Sequence, residues 1–253
     1  MKQPYVKLIK DNHIATIEFF HPKHNSLPSK LLRDLIQAIN EVGNDQTIKV
    51  IVLQSFGNRT FCAGASFEEM SKITTESAGK DFFAGFANLI NTIRLCPKII
   101  IGRVQGKAVG GGVGLIAASD YCLATKYASI KLSELDIGIG PFVISPVIKR
   151  KIGLSSLTKI TLESQSFFSA EWSKNNGLYS EIYENQEELD VAIKIIANKV
   201  CTYNPQSVIK MKKIFWEGTE NWDDLLDKRS EISGKLAMTS FTKSKLFKFK
   251  NKD

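Results

Sequence analysis

The chain has 253 residues, a formal net charge of +8, 43% hydrophobic residues and 24% charged residues, which is ordinary for a globular protein. Its apolar runs are broken by glycine or charge before the ~18 residues that a membrane-spanning helix needs, so we expect no membrane partner. The four cysteines, at positions 62, 96, 122 and 201, form no CxxC pair. Widely spaced thiols and the absence of a signal-peptide pattern predict a reduced, cytoplasmic protein.

The first half of the chain alternates strand patterns with helical patterns. Two strands, 5–10 and 14–20, flank the hairpin turn Asp11-Asn12. Further strands are predicted at 50–53, 99–104, 121–124 and 130–132. Helices are predicted at 29–43, 67–71, 76–95 and from a glycine run to about 119, with a loop of small residues at 61–66. This alternation predicts an α/β core with parallel strand pairs.

Beyond Phe142 the pattern is almost entirely helical. Predicted helices cover 143–152, 155–162, 170–175, 187–201, 205–216 and 222–237, with one strand at 179–183. No low-complexity linker intervenes, so we expect one folded unit. The chain ends in the basic tail 243–252, KSKLFKFKNK, which is either a solvated helix end or a contact for phosphate groups.

The most informative segment is the glycine run Gly110-Gly111-Gly112, which opens an apolar helix and is followed by Glu134. The first N–H groups of a helix have no intrahelical partner, and the helix dipole adds positive charge, so an oxyanion is stabilised there. A second N–H from the small-residue loop 62–65 would complete an oxyanion hole. The alternative is that these glycines only allow close packing between the helix and a strand.

Two other glycine motifs fit this segment less well. A P-loop would need a hydroxyl after Lys107, where the chain has Ala108, and a glycine at Ile101. The sequence GVGLIA at 112–117, with Glu134 20 residues beyond Gly114, fits a dinucleotide-binding pattern and keeps a nicotinamide-dependent oxidoreductase as an alternative. Two strand-like segments between the helix and Glu134 weaken it.

Metal chemistry and nucleophilic triads are disfavoured. The three histidines all lie within the first 24 residues, and no serine or cysteine has a spaced histidine and acidic partner. We therefore predict no metal site and no separate cofactor.

Five segments in order resemble motifs of the crotonase superfamily, the enoyl-CoA hydratase/isomerase family. They are HPKHNSL at 21–27, FCAGASFEEM at 61–70, GKAVGGGVGLIAASD at 106–120, LSELDIG at 132–138, and 169–183. The resemblance implies a spiral of ββα units over residues 1–195 and a C-terminal helical trimerisation region over 196–253. Homotrimers or hexamers are expected, and nucleic acid is not an expected partner.

The resemblance also implies a substrate and a set of site residues. The substrate is an acyl-CoA thioester, or a thioester on acyl carrier protein, and coenzyme A enters only as part of it. The N–H groups of Ala65 and Gly111 would bind the thioester oxygen, and Glu134 would be the acid/base. Residues expected to contact substrate or coenzyme A are Lys23, His24, Asn25, Ala63, Gly64, Ser66, Gly112, Ser133 and Phe142.

One position separates the possible activities. Hydratases of this family use two glutamates, and the first falls at Gly114 in this chain. With Glu134 alone the resemblance favours isomerases, in which one carboxylate removes a proton from one carbon and returns it to another. Dehydratases of polyketide β-branching, the methylglutaconyl-CoA hydratase-like branch, and a non-catalytic CoA- or RNA-binding homologue stay open. The dehalogenases are excluded, because their nucleophilic aspartate falls at Phe142.

Overall fold

The computed structural model describes the backbone of residues 2–250 and the side chains of residues 2–248. Strands and helices alternate up to β9, and helices follow. The strands are β1 (Tyr5–Asp11), β2 (Ile14–Phe20), β3 (Val50–Ser55), β4 (Thr60–Cys62), β5 (Ile99–Val104), β6 (Lys107–Val109), β7 (Tyr121–Thr125), β8 (Ile130–Lys131) and β9 (Glu181–Tyr183). The helices are α1 (Ser29–Asn44), α2 (Phe67–Met70), α3 (Glu76–Leu95), α4 (Gly111–Ala118), α5 (Ser145–Leu162), α6 (Ala170–Asn175), α7 (Gln186–Cys201), α8 (Pro205–Phe215), α9 (Trp222–Ala237) and α10 (Ser240–Lys250).

The strands form two sheets. The large sheet has the order β1-β2-β3-β5-β7-β9, and the small sheet has the order β4-β6-β8. β1 and β2 form the predicted antiparallel hairpin, and the other named pairs are parallel. Each of β3, β5 and β7 is followed by one strand of the small sheet, so the chain winds through both sheets once per turn. The predicted α/β class with parallel pairing is confirmed.

Local chemistry explains where several helices begin and break. The Thr75 side chain accepts a hydrogen bond from the N–H of Ala78 and caps α3, and Asn204 caps α8 just before Pro205 at its first position. The long helix α5 is interrupted at Gly153, which has φ 76° and ψ 170°. This confirms the predicted break between 152 and 155.

Several details differ from the sequence-based expectation. The strands β4 and β6 and a 3-10 turn at Leu135–Ile137 are additional, because three residues are too few to show a period. The predicted strand 179–183 is shorter, starting at Glu181. Tyr179 instead turns into the core, where its hydroxyl donates to the Ala128 carbonyl at 3.0 Å.

Apolar packing covers both faces of the large sheet. On one face α7 lies over β3, β5 and β7, where Leu189 and Ile193 pack on Val52 and Leu123. Fully burying such a side chain stabilises the fold by about 1.5–3 kcal/mol. On the opposite face Ile17, Ile51 and Leu53 belong to the main core, and elsewhere α9 packs along α3.

The expected division at 195/196 falls inside α7, and the two-part organisation stays a prediction. Residues 251–253 of the predicted C-terminal region, including the end of the basic tail, lie outside the described residues. No helix within residues 2–250 is both long enough and apolar enough to cross a membrane.

Candidate active site

The segments that follow the three parallel strands of the small sheet lie close together. β4 leads into the loop 63–65, β6 leads into Gly110 and Gly111, and β8 leads into Ser133 and Glu134. Together these segments border a cavity of about 70 Å³. The other walls come from α2, α3, α9 and the segment after Glu134, through Phe67, Met70, Phe83, Phe86, Ile137, Ile139, Gly140, Pro141, Phe142, Val143, Ile144 and Ser233.

A larger groove of about 940 Å³ lies between α7, α8 and the large sheet, and it includes Ala117 and Asp120 from the end of the segment 106–120. Its one lining carboxyl group, Asp120, is already paired: Lys212 lies 2.8 Å away, and both side chains are 3% exposed. Trp216 also donates to Asp120 at 2.9 Å. We therefore identify the smaller cavity, which holds an uncompensated carboxyl group, as the candidate site.

The loop 63–65 is fixed against the start of α4. Gly64 has φ +82°, and a Cβ there would lie 2.7 Å from the Val109 carbonyl oxygen and 3.1 Å from the nitrogen of Gly111. The Leu27 N–H donates to the Gly64 carbonyl at 2.8 Å. Within residues 2–250 neither the Ala65 N–H nor the Gly111 N–H takes part in a hydrogen bond. Two unused backbone donors therefore lie at one edge of the cavity.

The sequence allows the glycine run at the start of α4 either to bind an oxyanion or only to permit close packing, and the geometry is compatible with both. Gly110 has φ +52° and ψ −119°, a conformation that disfavours any side chain. A Cβ at Gly111 would overlap the Phe86 ring, and one at Gly112 would lie 2.5 Å from the Cys62 carbonyl oxygen. Close packing is thus required, and the same packing leaves the helix N-terminus bare toward the cavity.

Glu134 is the only ionisable side chain among the residues that line the cavity. Its Oε2 is buried without a hydrogen-bond partner in the described part of the chain, and its Oε1 would lie 2.6 Å from a Cβ at Gly110. Burial raises the pKa of the Glu134 carboxyl from 4.5 to about 7, against a smaller opposing effect of the backbone N–H groups of Ser133 and Glu134. The carboxyl therefore titrates near neutral pH and faces the start of α4.

The backbone around Glu134 is held by its own turn. The Glu134 carbonyl accepts from the N–H of Ile139 at 3.0 Å and from the N–H of Ile137 at 3.3 Å. Thr242 of α10 donates to the Gly138 carbonyl at 3.2 Å. The carboxyl group is consequently presented from an anchored segment.

The predicted site residues fall into two groups. Seven line the cavity: Ala63, Gly64, Ala65, Gly111, Ser133, Glu134 and Phe142. Five do not line it: Lys23, His24, Asn25, Ser66 and Gly112.

The residues outside the cavity have visible structural contacts. Lys23 forms an exposed ion pair with Glu68 at 2.9 Å. The buried Asn25 amide donates to the carbonyls of Phe56 and Thr60, each at 2.9 Å. Ser66, where the family pattern has aspartate, is buried and caps α2. The expected contacts of these residues with substrate or coenzyme A stay predictions.

Several cavity residues were missed by sequence reasoning. Phe86 from α3 and Ser233 from α9 reach the cavity only through tertiary packing, and no local pattern marks them. Met70 from α2 ends the segment 61–70 but was not assigned to the site. Ile144 had a weak signal, since it closes the apolar stretch that begins at Gly140. Phe86, Ile144 and Ser233 lie outside the five motif segments.

Comparison with known proteins identifies the family of the chain. The sequence model of the family described as enoyl-CoA hydratase/isomerase matches residues 10–248. The chain belongs to this family. The protein is accordingly an enzyme of the hydratase/isomerase class, and the match replaces the dinucleotide-binding alternative.

The relatives carry both activities in their names. The short-chain-enoyl-CoA hydratase of Clostridium acetobutylicum is 29% identical over 98% of each chain. The peroxisomal Delta(3,5)-Delta(2,4)-dienoyl-CoA isomerase of Arabidopsis thaliana is 27% identical over 83% of this chain and 80% of that protein. The crystal structure of an enoyl-CoA hydratase from Bacillus halodurans superposes with a TM-score of 0.90 at 24% identity, covering 96% of this chain and 99% of that one. The predicted crotonase-like fold is confirmed.

Proposed function

We propose that the protein shifts a double bond in an acyl-CoA thioester, with Glu134 as its single acid/base. The carboxylate removes a proton from C2 of a 3-enoyl thioester, and the electron pair moves into an enolate whose charge rests on the thioester oxygen. The same carboxyl group returns the proton to C4, so the double bond comes to lie between C2 and C3. One proton leaves and one returns, and the step needs no water, metal or redox cofactor.

The two free N–H groups of Ala65 and Gly111 are proposed to bind the thioester oxygen. Their hydrogen bonds strengthen as negative charge develops on that oxygen, and each such donor contributes about 3–4 kcal/mol to transition-state stabilisation in measured cases. The α4 dipole acts in the same direction. Because the cavity walls are apolar, these interactions are weakened little by solvent.

A single observation carries the proposal: the Glu134 carboxyl is buried at the bare start of α4 with Oε2 unpartnered. A structural carboxylate would have an ion-pair partner or a full set of hydrogen bonds. A carboxyl group with a pKa near neutrality can both accept and donate a proton at working pH. This is the property that a two-step proton transfer needs.

Coenzyme A is proposed to lie along the segment Lys23–Asn25. The Ala63 N–H donates to the His24 carbonyl at 3.1 Å, so this segment adjoins the loop that borders the cavity. Lys23 and His24 are exposed and offer polar contacts to phosphate or adenine groups. A thioester carried on acyl carrier protein is the alternative, and direct comparison of the two carriers as substrates separates them.

Assembly into a homotrimer or hexamer is also proposed. Helix α8 exposes Met211, Ile214 and Phe215, each between 44% and 50% accessible. Clustered apolar exposure of this kind is typical of a surface covered by a partner. Sedimentation at micromolar concentration should give a multiple of three chains, and a monomer would contradict it.

The function is tested with Glu134→Gln, which keeps the shape of the side chain and removes its acid/base chemistry. We expect loss of at least about a hundredfold in turnover of 3-enoyl-CoA, with acyl-CoA binding retained in calorimetry. The matched control is Asp136→Asn on the same turn, since the Asp136 carboxyl accepts from Ser164 at 2.8 Å outside the cavity and should leave turnover unchanged. Full activity of Glu134→Gln would refute the assignment.

Hydration or dehydration, including that of a branched 3-hydroxyacyl thioester, is the second candidate. Its support is the name of the Clostridium acetobutylicum relative. The same assay run on 2-enoyl, 3-enoyl and methylglutaconyl thioesters decides between the candidates. Faster hydration than isomerisation by the wild-type protein would favour the second.

A further inference from the structure

Position 114 lies in α4 against Ile144, which lines the cavity, and it has no room for a side chain. An ideal Cβ placed on Gly114 would lie 2.8 Å from Cβ of Ile144 and closer still to its Cγ2. Non-bonded carbon atoms pack at about 3.5–4.0 Å. Even alanine at position 114 therefore collides with Ile144, and any longer residue must displace it.

Ile144 is not free to withdraw. It is 4% exposed, and it immediately precedes α5, where Pro146 occupies the first turn. The Ser145 N–H donates to the Pro141 carbonyl at 2.8 Å, and the Ile148 N–H donates to the Ile144 carbonyl at 3.1 Å. The backbone on both sides is thus fixed, and the side chain lines the same cavity as Glu134.

We propose that Ile144 determines the reaction specificity of this cavity by occupying the volume that a second acid/base at position 114 would need. The proposal rests on the function proposed above for Glu134. The choice between isomerisation and hydration would then depend on an apolar residue that does not itself exchange a proton. We call Gly114 and Ile144 one steric unit, because a larger residue at position 114 requires a smaller residue at position 144.

The chemical consequence concerns water. Addition of water to a 2-enoyl thioester forms a C3–O bond and a C2–H bond, so one proton must leave the water as another reaches C2. An ordered water needs two to four polar partners, and the wall made by Ile144 and Phe142 supplies none from its side chains. A proton shift between C2 and C4 needs only Glu134, so this wall favours isomerisation over hydration.

The first test measures packing and does not depend on activity. Gly114→Ala is made in the wild-type protein and in an Ile144→Gly background, where the nearest remaining Ile144 atom to the new Cβ is Cα at 3.9 Å. Glycine is tolerated at the residue preceding a helix. In the wild type the substitution should lower Tm by at least about 2 °C through overpacking.

In the Ile144→Gly background the same substitution should raise Tm by about 2–4 °C, because alanine is favoured over glycine inside a helix. A reversal of sign between the two backgrounds is the expected result. The same sign of the Tm change in both backgrounds would show that Ile144 does not exclude a side chain at position 114.

The second test measures the ratio of 2-enoyl-CoA hydration to 3-enoyl-CoA isomerisation. We expect the double variant Gly114→Glu with Ile144→Gly to raise this ratio at least about tenfold, whereas Gly114→Glu alone should not. The control is Ile148→Ala, one turn along α5, which is buried in the main core and does not line the cavity. It should leave the ratio unchanged, and a folded double variant with the wild-type ratio would overturn the proposal.

The two tests separate the possible failures. If the wild-type protein turns over none of these thioesters, the proposed function fails and the specificity role fails with it, whereas a sign reversal in Tm would still establish the packing. If Glu134→Gln abolishes isomerisation but the double variant keeps the wild-type ratio, only the role of Ile144 fails.

Discussion

The buried carboxyl of Glu134 should make the stability of the protein depend on pH in a direction opposite to that of an ion-paired carboxylate. Its pKa is raised from 4.5 to about 7 in the folded chain, so between these values the folded state holds a proton that the unfolded state releases. Stability contributed by this group is therefore present at low pH and is lost as pH rises through about 7. The full difference corresponds to about 3 kcal/mol, from roughly 2.5 pH units at about 1.36 kcal/mol each.

The perturbation is Glu134→Gln, which stays neutral at every pH. Between pH 5 and pH 8 the wild-type protein should lose about 2.5 kcal/mol of unfolding free energy relative to the variant, by the same linkage relation. At pH 8 the variant should be the more stable of the two, because it carries no uncompensated buried charge.

The assay is urea unfolding of both proteins at several pH values across this window. Histidines and surface carboxyls titrate in both proteins and cancel in the difference. Asp136→Asn is the control and should follow the wild-type curve. Parallel wild-type and Glu134→Gln curves would show that the carboxyl is not desolvated in solution and would remove the physical basis of its raised pKa.

The same titration governs catalysis in the proposed mechanism. The carboxylate is the form that removes the C2 proton, so kcat/KM for 3-enoyl-CoA should rise with pH and level off above about 7. A flat profile between pH 5 and pH 8 would mean that another group carries the proton.

Two further predictions concern the framework. Asn25→Ala removes the amide that holds the carbonyls of Phe56 and Thr60 and should cost about 2–4 kcal/mol in urea unfolding, since buried acceptors lose their donor; a loss below 1 kcal/mol would show that the loop repacks. Lys212→Met leaves Asp120 without its buried cation and should cost about 3–5 kcal/mol. Adding Asp120→Asn should recover part of that loss, and simple additivity of the two changes would argue against a coupled pair.

The long elements could be predicted from the sequence because their periodicity is strong. The helix α3 has Thr75 as a cap before it and Pro97 just after it, and the predicted bounds 76–95 match the structure. The strand β5 reads as an apolar run, and its predicted bounds also match. These elements carry their own local signals, so tertiary packing had little to correct.

The candidate site was predicted only where it coincides with motifs. Glu134 and Gly111 belong to recognisable segments, and the structure brings both to one cavity. Phe86 and Ile144 do not, because their positions depend on how α3 and α5 pack against α4. The lack of space at position 114 could not be predicted either, since it is a distance between residues 30 positions apart in the sequence.

The strands with the weakest sequence signals position the residues of the candidate site. β4 and β6 have three residues each and β8 has two, and yet each ends directly before a segment that borders the cavity. Parallel strands align their carboxyl ends, which places the loop 63–65, the start of α4 and Glu134 at one edge. The Gly110 N–H donating to the Lys131 carbonyl at 2.9 Å couples the start of α4 directly to the strand that presents Glu134. Acid/base and oxyanion donors are therefore positioned by the same small sheet, so a change that shifts β6 relative to β8 should impair proton transfer and thioester binding together.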